Sequence, residues 1–106
     1  MSSMKKREEE FEARFAHDAE LKFKIQSRTA IHFARWAAEE MGKTDEEAAK
    51  YVDEILDLSI SKGCFDAIRS KVLEDFEEHG VDVSEHRVEV KLSELHKSAE
   101  EFVTKS

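Results

Sequence analysis

Proline is absent from these 106 residues, and glycine occurs only three times. Those two residue types are the strongest local terminators of helices, so a chain that uses them this rarely has few places to stop one. The three glycines divide the chain into four runs. Gly42 follows "WAAEEM" and sits where a left-handed C-terminal cap falls. "TDEE" comes next, and its Thr44 and Glu47 fit the capping box that opens a new helix. Gly63, in "SISKGC", is a softer break, and Gly80 closes the third run. "VDVSEH" then restarts the chain with either Asp82 or Ser84 as N-cap, since Asp82 with Glu85 also fits a capping box.

Each run is amphipathic at helical spacing. The first carries Ala30, Phe33, Ala34, Ala37 and Met41 on one face, with Trp36 close by. The second carries Ala48, Ala49, Val52, Ile55, Leu56 and Ile60, and the third Phe65, Ile68, Val72, Leu73 and Phe76. The last offers Val88, Leu92, Leu95, Ala99, Phe102 and Val103. Every stripe needs a partner, so the expected architecture is all-α, a small four-helix bundle with a modest single core.

Charge narrows the function. Charged residues make up 40% of the chain and the net charge is −8. An extended basic face for nucleic acid is not expected, because phosphate contacts supply most of that affinity. An anionic membrane surface is disfavoured on the same ground. The opening "MSSMKKREEE" lacks the apolar run of a signal peptide. No stretch approaches the roughly 20 apolar residues of a membrane span. Cys64 is the only cysteine, so neither an intrachain disulfide nor a cysteine-based metal cluster is available. A cytoplasmic protein without direct membrane insertion is expected.

Catalytic chemistry finds no foothold, and no catalytic residue, cofactor site or metal site is assigned. The chain has no glycine-rich phosphate loop and no nucleophile elbow, and Ser84 beside His86 lacks a third group to orient a base. His79, His86 and His96 gather around the Gly80 turn, but none pairs at the i, i+4 spacing of a helical metal site. The helix macrodipole accounts for His79. Cys64 is read as a small apolar residue packing beside Phe65 rather than as a thiol activated by a helix N-terminus. Trp36 is read as a bundle residue with its indole N–H at the rim, although Trp36 and Tyr51 could also line a cleft.

The N-terminal segment "KREEEFEARFAHDAELKFK", residues 6–24, is different. It is uniformly helix-favouring, yet its apolar stripe is a single file: Phe11, Phe15, Ala19 and Phe23. Residues 5–15 carry four positive and four negative side chains. Glu10–Arg14, Asp18–Lys22 and Glu20–Lys24 are acid-first i, i+4 pairs, together contributing on the order of 1 kcal/mol. That does not hold a helix of this length in water. The segment reads as a helical arm that frays when free and orders when something meets Phe11 and Phe15. The residues alone equally allow these two phenylalanines to extend the contact of the first helix with the bundle.

In its order and spacing the chain resembles the zeta-type ATPase inhibitor subunits of α-proteobacterial F-type ATP synthases. The resemblance runs through Lys6-Arg7-Glu8-Glu9, Phe11, Phe15-Ala16, Asp18, Glu20-Leu21 and Lys22-Phe23-Lys24. It continues through Trp36-Ala37-Ala38-Glu39 before Gly42, and through the Gly-Val turn leading to Ser84-Glu85-His86. It implies a mobile inhibitory arm, residues 1–17, on a four-helix bundle, residues 18–106. The arm is implied to insert as a helix into the catalytic head, between α and β subunits and against γ. There it blocks rotation in the hydrolytic direction. By that likeness Phe11 and Phe15 are the anchors, and Lys6, Arg7, Glu8, Glu9, Glu10 and Arg14 set register. The free protein is expected to be a monomer that becomes peripheral to the inner membrane when bound to the synthase. The rival expectation is a non-enzymatic bundle that binds a small ligand, such as a nucleotide, with the arm folded over its own cleft.

Overall fold

Four helices make up the chain: α1 Ser2–Glu40, α2 Asp45–Lys62, α3 Phe65–Glu78 and α4 Glu85–Lys105. The computed structural model describes the backbone of residues 2–105 and the side chains of residues 19–104. Among the described residues there is no strand.

The helix ends follow from local chemistry. Gly42, at φ 70°, closes α1 in a Schellman motif: its N–H donates to the Glu39 carbonyl, and the Lys43 N–H donates to Ala38, both at 3.0 Å. Gly80 repeats the device after α3, with Val81 N–H donating to the Phe76 carbonyl at 2.9 Å and the Val81 side chain packing on the core. Thr44 caps α2 by accepting the Glu47 N–H at 3.3 Å, and its hydroxyl donates to Glu47 Oε1 at 3.2 Å. Of the two candidates before α4, Ser84 is the cap: its Oγ accepts the Arg87 N–H at 3.1 Å.

The second half of α1 is the axis of the fold. It packs against α2, α3 and α4, whereas α2 and α4 do not meet among the described residues. Consecutive helices are therefore neighbours around a rhombus with α1 and α3 across its short diagonal. Ala30, Ala34 and Ala37 are fully buried, and their small side chains let the other helices approach α1 closely. Phe33 fills the centre with Ile55 of α2, Ile68 and Val72 of α3, and Val88 of α4. Trp36 is half-buried, stacked on Phe33 at 5.9 Å and edge-on to Phe76 at 5.6 Å. It is a bundle residue.

Three apolar residues assigned to core stripes lie outside the core. Ile60 is 50% exposed, Phe102 is 55% exposed and Ala49 is exposed. On α2 the buried line is Tyr51, Ile55 and Ser59, spaced by four, and Ile60 stands about 100° beyond Ser59. Ser59 can be buried because Gln26 Nε2 donates to its carbonyl at 3.0 Å and to its Oγ at 3.2 Å. Thr29, also fully buried, donates its hydroxyl to the Ile25 carbonyl at 2.7 Å.

Candidate functional site

The side chains of Lys6, Arg7, Glu8, Glu9, Glu10, Phe11, Arg14 and Phe15 lie outside the described residues, as does the division at residue 17. The root of the arm is described. Ala19 is exposed and Phe23 is 55% exposed, so the last two members of the single-file stripe remain uncovered. Among the described residues of α1, the first that are fully buried are Thr29 and Ala30. Among the described residues, the turn of α1 from Ala19 to Phe23 is therefore largely open to solvent, with Leu21 alone partly buried.

Phe23 opens a groove of about 1030 Å³ between α1 and the last turn of α4. Its apolar walls include Phe23, Ile31 and Phe102, and its charged rim is Lys24, Arg28 and Arg35, with His32 between them. The Arg28 guanidinium carbon stands over the Phe102 ring, 3.6 Å from its centroid, a cation–π contact at the mouth. Burial holds the His32 imidazole below its ordinary 6.5, with the Arg28 and Arg35 charges acting in the same direction. No carboxylate lines this groove among the described residues. In a chain of net charge −8 this is a local inversion. The sequence reading missed it because Arg28 and Phe102 are 74 positions apart and only the fold brings them together.

A second polar constellation joins α2 to α3. The Tyr51 hydroxyl donates to Asp75 Oδ2 at 2.7 Å, and Lys71 Nζ pairs with Asp75 Oδ1 at 3.0 Å and with Glu54 at 3.6 Å. Tyr51 and Asp75 are each 5% exposed. Burial, reinforced by the bond to Asp75, raises the Tyr51 phenol well above its ordinary 10.0. The bond to Asp75 likewise raises the Lys71 ammonium, against a smaller opposing effect of burial. Every member is partnered within the protein, so the cluster has the form of a structural clamp. Tyr51 belongs to the core and does not line a cleft.

The remaining residues singled out in the sequence are dispersed. His79 caps α3, its Nδ1–H donating to the Asp75 carbonyl at 2.8 Å, as a basic residue at a helix C-terminus should. His86 is exposed, and His96 pairs with Glu100 at 3.3 Å and meets the Phe65 ring edge-on at 5.1 Å. Cys64 is the N-cap residue of α3 but makes no cap bond, and it is exposed instead of packed beside Phe65. Among the described residues, no three His, Cys, Asp or Glu side chains are grouped to hold a metal ion. Nor is any helix long and apolar enough to cross a membrane.

Comparison with known proteins bears on the whole chain. No curated protein and no solved structure matches it. The family described as ATPase inhibitor subunit zeta matches residues 1–101. With nearly the full length aligned to one family, the chain belongs to the ATPase inhibitor subunit zeta family.

Proposed function

We propose that this protein is a non-enzymatic inhibitor of ATP hydrolysis by an F-type ATP synthase, acting through residues 1–17. Membership in the zeta family supplies the role of ATPase inhibitor and implies an ATPase as partner. The observation that carries the mechanism is the uncovered stripe. Phe23 and Ala19 end the file that begins at Phe11 and Phe15, and the bundle does not bury them. A stripe left open at home is available to a partner. A charge-balanced helix with two aromatic anchors is suited to a cleft lined by both signs of charge.

In this reading Phe11 and Phe15 seat in the cleft between an α and a β subunit of the catalytic head. Lys6, Arg7, Glu8, Glu9, Glu10 and Arg14 fix register there, and the seated helix obstructs γ in the hydrolytic direction. The bundle, residues 18–106, stays outside as a stopper too wide to follow. The free protein acts as a monomer on the cytoplasmic side of the membrane. Ordering the arm on binding lowers the intrinsic affinity and keeps the contact reversible.

The test is placement. A photo-crosslinking amino acid at position 11 or 15 of the full chain should attach to α, β or γ in the isolated head, and one at an α2 surface position such as Asp53 should not. Attachment from position 53 alone would show that the bundle, not the arm, enters the enzyme.

A further inference from the structure

The groove between α1 and α4, about 1030 Å³, has no assigned role, and it is chemically specific. Its walls are aromatic and aliphatic, and its rim carries Lys24, Arg28 and Arg35 with no opposing carboxylate among the described residues. Among the described residues none of these three cations enters an ion pair, and Arg28 rests instead on the Phe102 ring. Phe23 and Phe102, each 55% exposed, are the two largest apolar side chains left open in the described structure, and both line this one groove.

We infer that the groove is a second docking surface for the ATPase, taking an acidic segment of the enzyme that carries one or two apolar side chains. The inference rests on the proposed inhibitory role. Charge complementarity selects the occupant: cations around an apolar slot that no described carboxylate lines favour a partner of opposite sign that also has apolar surface to bury. Another copy of this chain carries −8 overall, and long-range repulsion opposes its approach. Continuity selects the enzyme. Phe23 is at once the last member of the arm's apolar file and a wall of the groove. In a continuous helix Phe23 lies about 12 Å beyond Phe15, and Arg35 about 30 Å beyond it, at 1.5 Å per residue. An enzyme that grips the arm to the mouth of its cleft therefore brings its outer lip against the groove.

Two joined contacts also address the weakness of the first. The arm loses conformational freedom when it seats, whereas the groove is already formed on packed helices. Capture of an acidic lip by the groove makes arm insertion an intramolecular step at raised effective concentration. Cations at the rim speed the encounter, chiefly at low ionic strength.

The experiment measures association of full-length protein with the immobilised α3β3γ head at low and physiological salt. The variants are Lys24→Glu/Arg35→Glu, Lys24→Gln/Arg35→Gln and Phe11→Ala/Phe15→Ala. Both groove positions are exposed, and circular dichroism checks that each variant melts as the parent does. Charge reversal should slow association about tenfold at low salt and flatten its salt dependence, with neutralisation falling between. The arm variant should lose inhibition and dissociate faster while still associating at nearly the parent rate. If reversal leaves the association rate and salt dependence untouched while the arm variant loses inhibition, the groove has no such role and the inhibitory reading stands. If the arm variant inhibits fully, Phe11 and Phe15 are not the inhibitory anchors, and this inference, which runs on from them, falls as well. A change in the sedimentation of the free protein on reversal would assign the groove to a second copy of the chain and overturn the proposal.

Discussion

Replacing Tyr51 by Phe removes one oxygen atom from the clamp between α2 and α3, and its cost can be worked from the contacts. The hydroxyl donates to Asp75 Oδ2 at 2.7 Å, with both residues 5% exposed. A hydrogen bond to a charged group contributes about 1.5–3 kcal/mol, and the abandoned Oδ2 finds no water to replace it easily. Lys71 remains on Oδ1, so the carboxylate stays paired and the loss should sit near 2 kcal/mol. For a small domain that is a large fraction of about 5–10 kcal/mol. Asp75→Leu should cost more, about 3 kcal/mol or above, because it strands the Tyr51 hydroxyl and the Lys71 ammonium together. Combining Tyr51→Phe with Asp75→Leu removes donor and acceptor at once, so the double variant should be no less stable than Asp75→Leu alone. Urea unfolding of the four proteins closes the cycle: with a slope of about 1–2 kcal/mol per M, Tyr51→Phe should move the midpoint by about 1 M or more. Additive losses in the double variant would refute the reasoning, since they would mean the two side chains are not coupled. None of these changes should alter inhibition at temperatures where the variants are folded, because Tyr51 lies about 12 Å along α2 from Ser59, the residue that meets Gln26 of α1.

The same clamp predicts alkaline sensitivity. Tyr51 and Lys71 both have folded-state values raised above their ordinary 10.0 and 10.5, so the unfolded chain releases protons first as pH rises. Stability should be complete below about pH 10 and decline above it, and Tyr51→Phe should flatten that decline in unfolding curves taken between pH 9 and pH 11. Ser27 makes the opposite kind of prediction. Its Oγ is buried with no hydrogen-bond partner among the described residues, and it lies mid-helix in α1. Ser27→Ala should therefore stabilise the protein by about 0.5–1.5 kcal/mol, read as a higher melting temperature, from the helix propensity gained and the orphan hydroxyl removed. A lower melting temperature would mean that the hydroxyl has a partner.

The helix count and boundaries were legible because they are local. Gly42, Gly63 and Gly80 do at close range what a proline-free chain needs done, and Thr44 announces α2 within four residues. Ser84 could not be separated from Asp82 because both are favoured N-cap types and Asp82 has Glu85 three residues on, and only the Arg87 N–H decides between them. Burial was less legible where polar residues are satisfied at long range. Ser59 enters the core on a bond from Gln26, 33 residues away, and Asp75 on one from Tyr51, 24 residues away, so an apolar template passes over both. The same template claims Ile60 and Phe102, which are apolar but sit beside the packed faces. Of the function, the role of ATPase inhibitor was legible through the resemblance and is that of the family matching residues 1–101, whereas the anchor side chains Phe11 and Phe15 lie outside the described residues. The groove was not legible, since Phe23, Arg28 and Phe102 belong to no common stretch of chain.

The central claim is that residues 1–17 are the inhibitory element and the bundle only carries them. It is tested most directly by ATP hydrolysis of the isolated synthase head, titrated with the intact protein and with a chain lacking residues 1–17 whose helical content and melting have been verified. The account predicts that the intact protein stops hydrolysis and the folded, shortened one does not. Equal inhibition by both would place the activity in the bundle and contradict it.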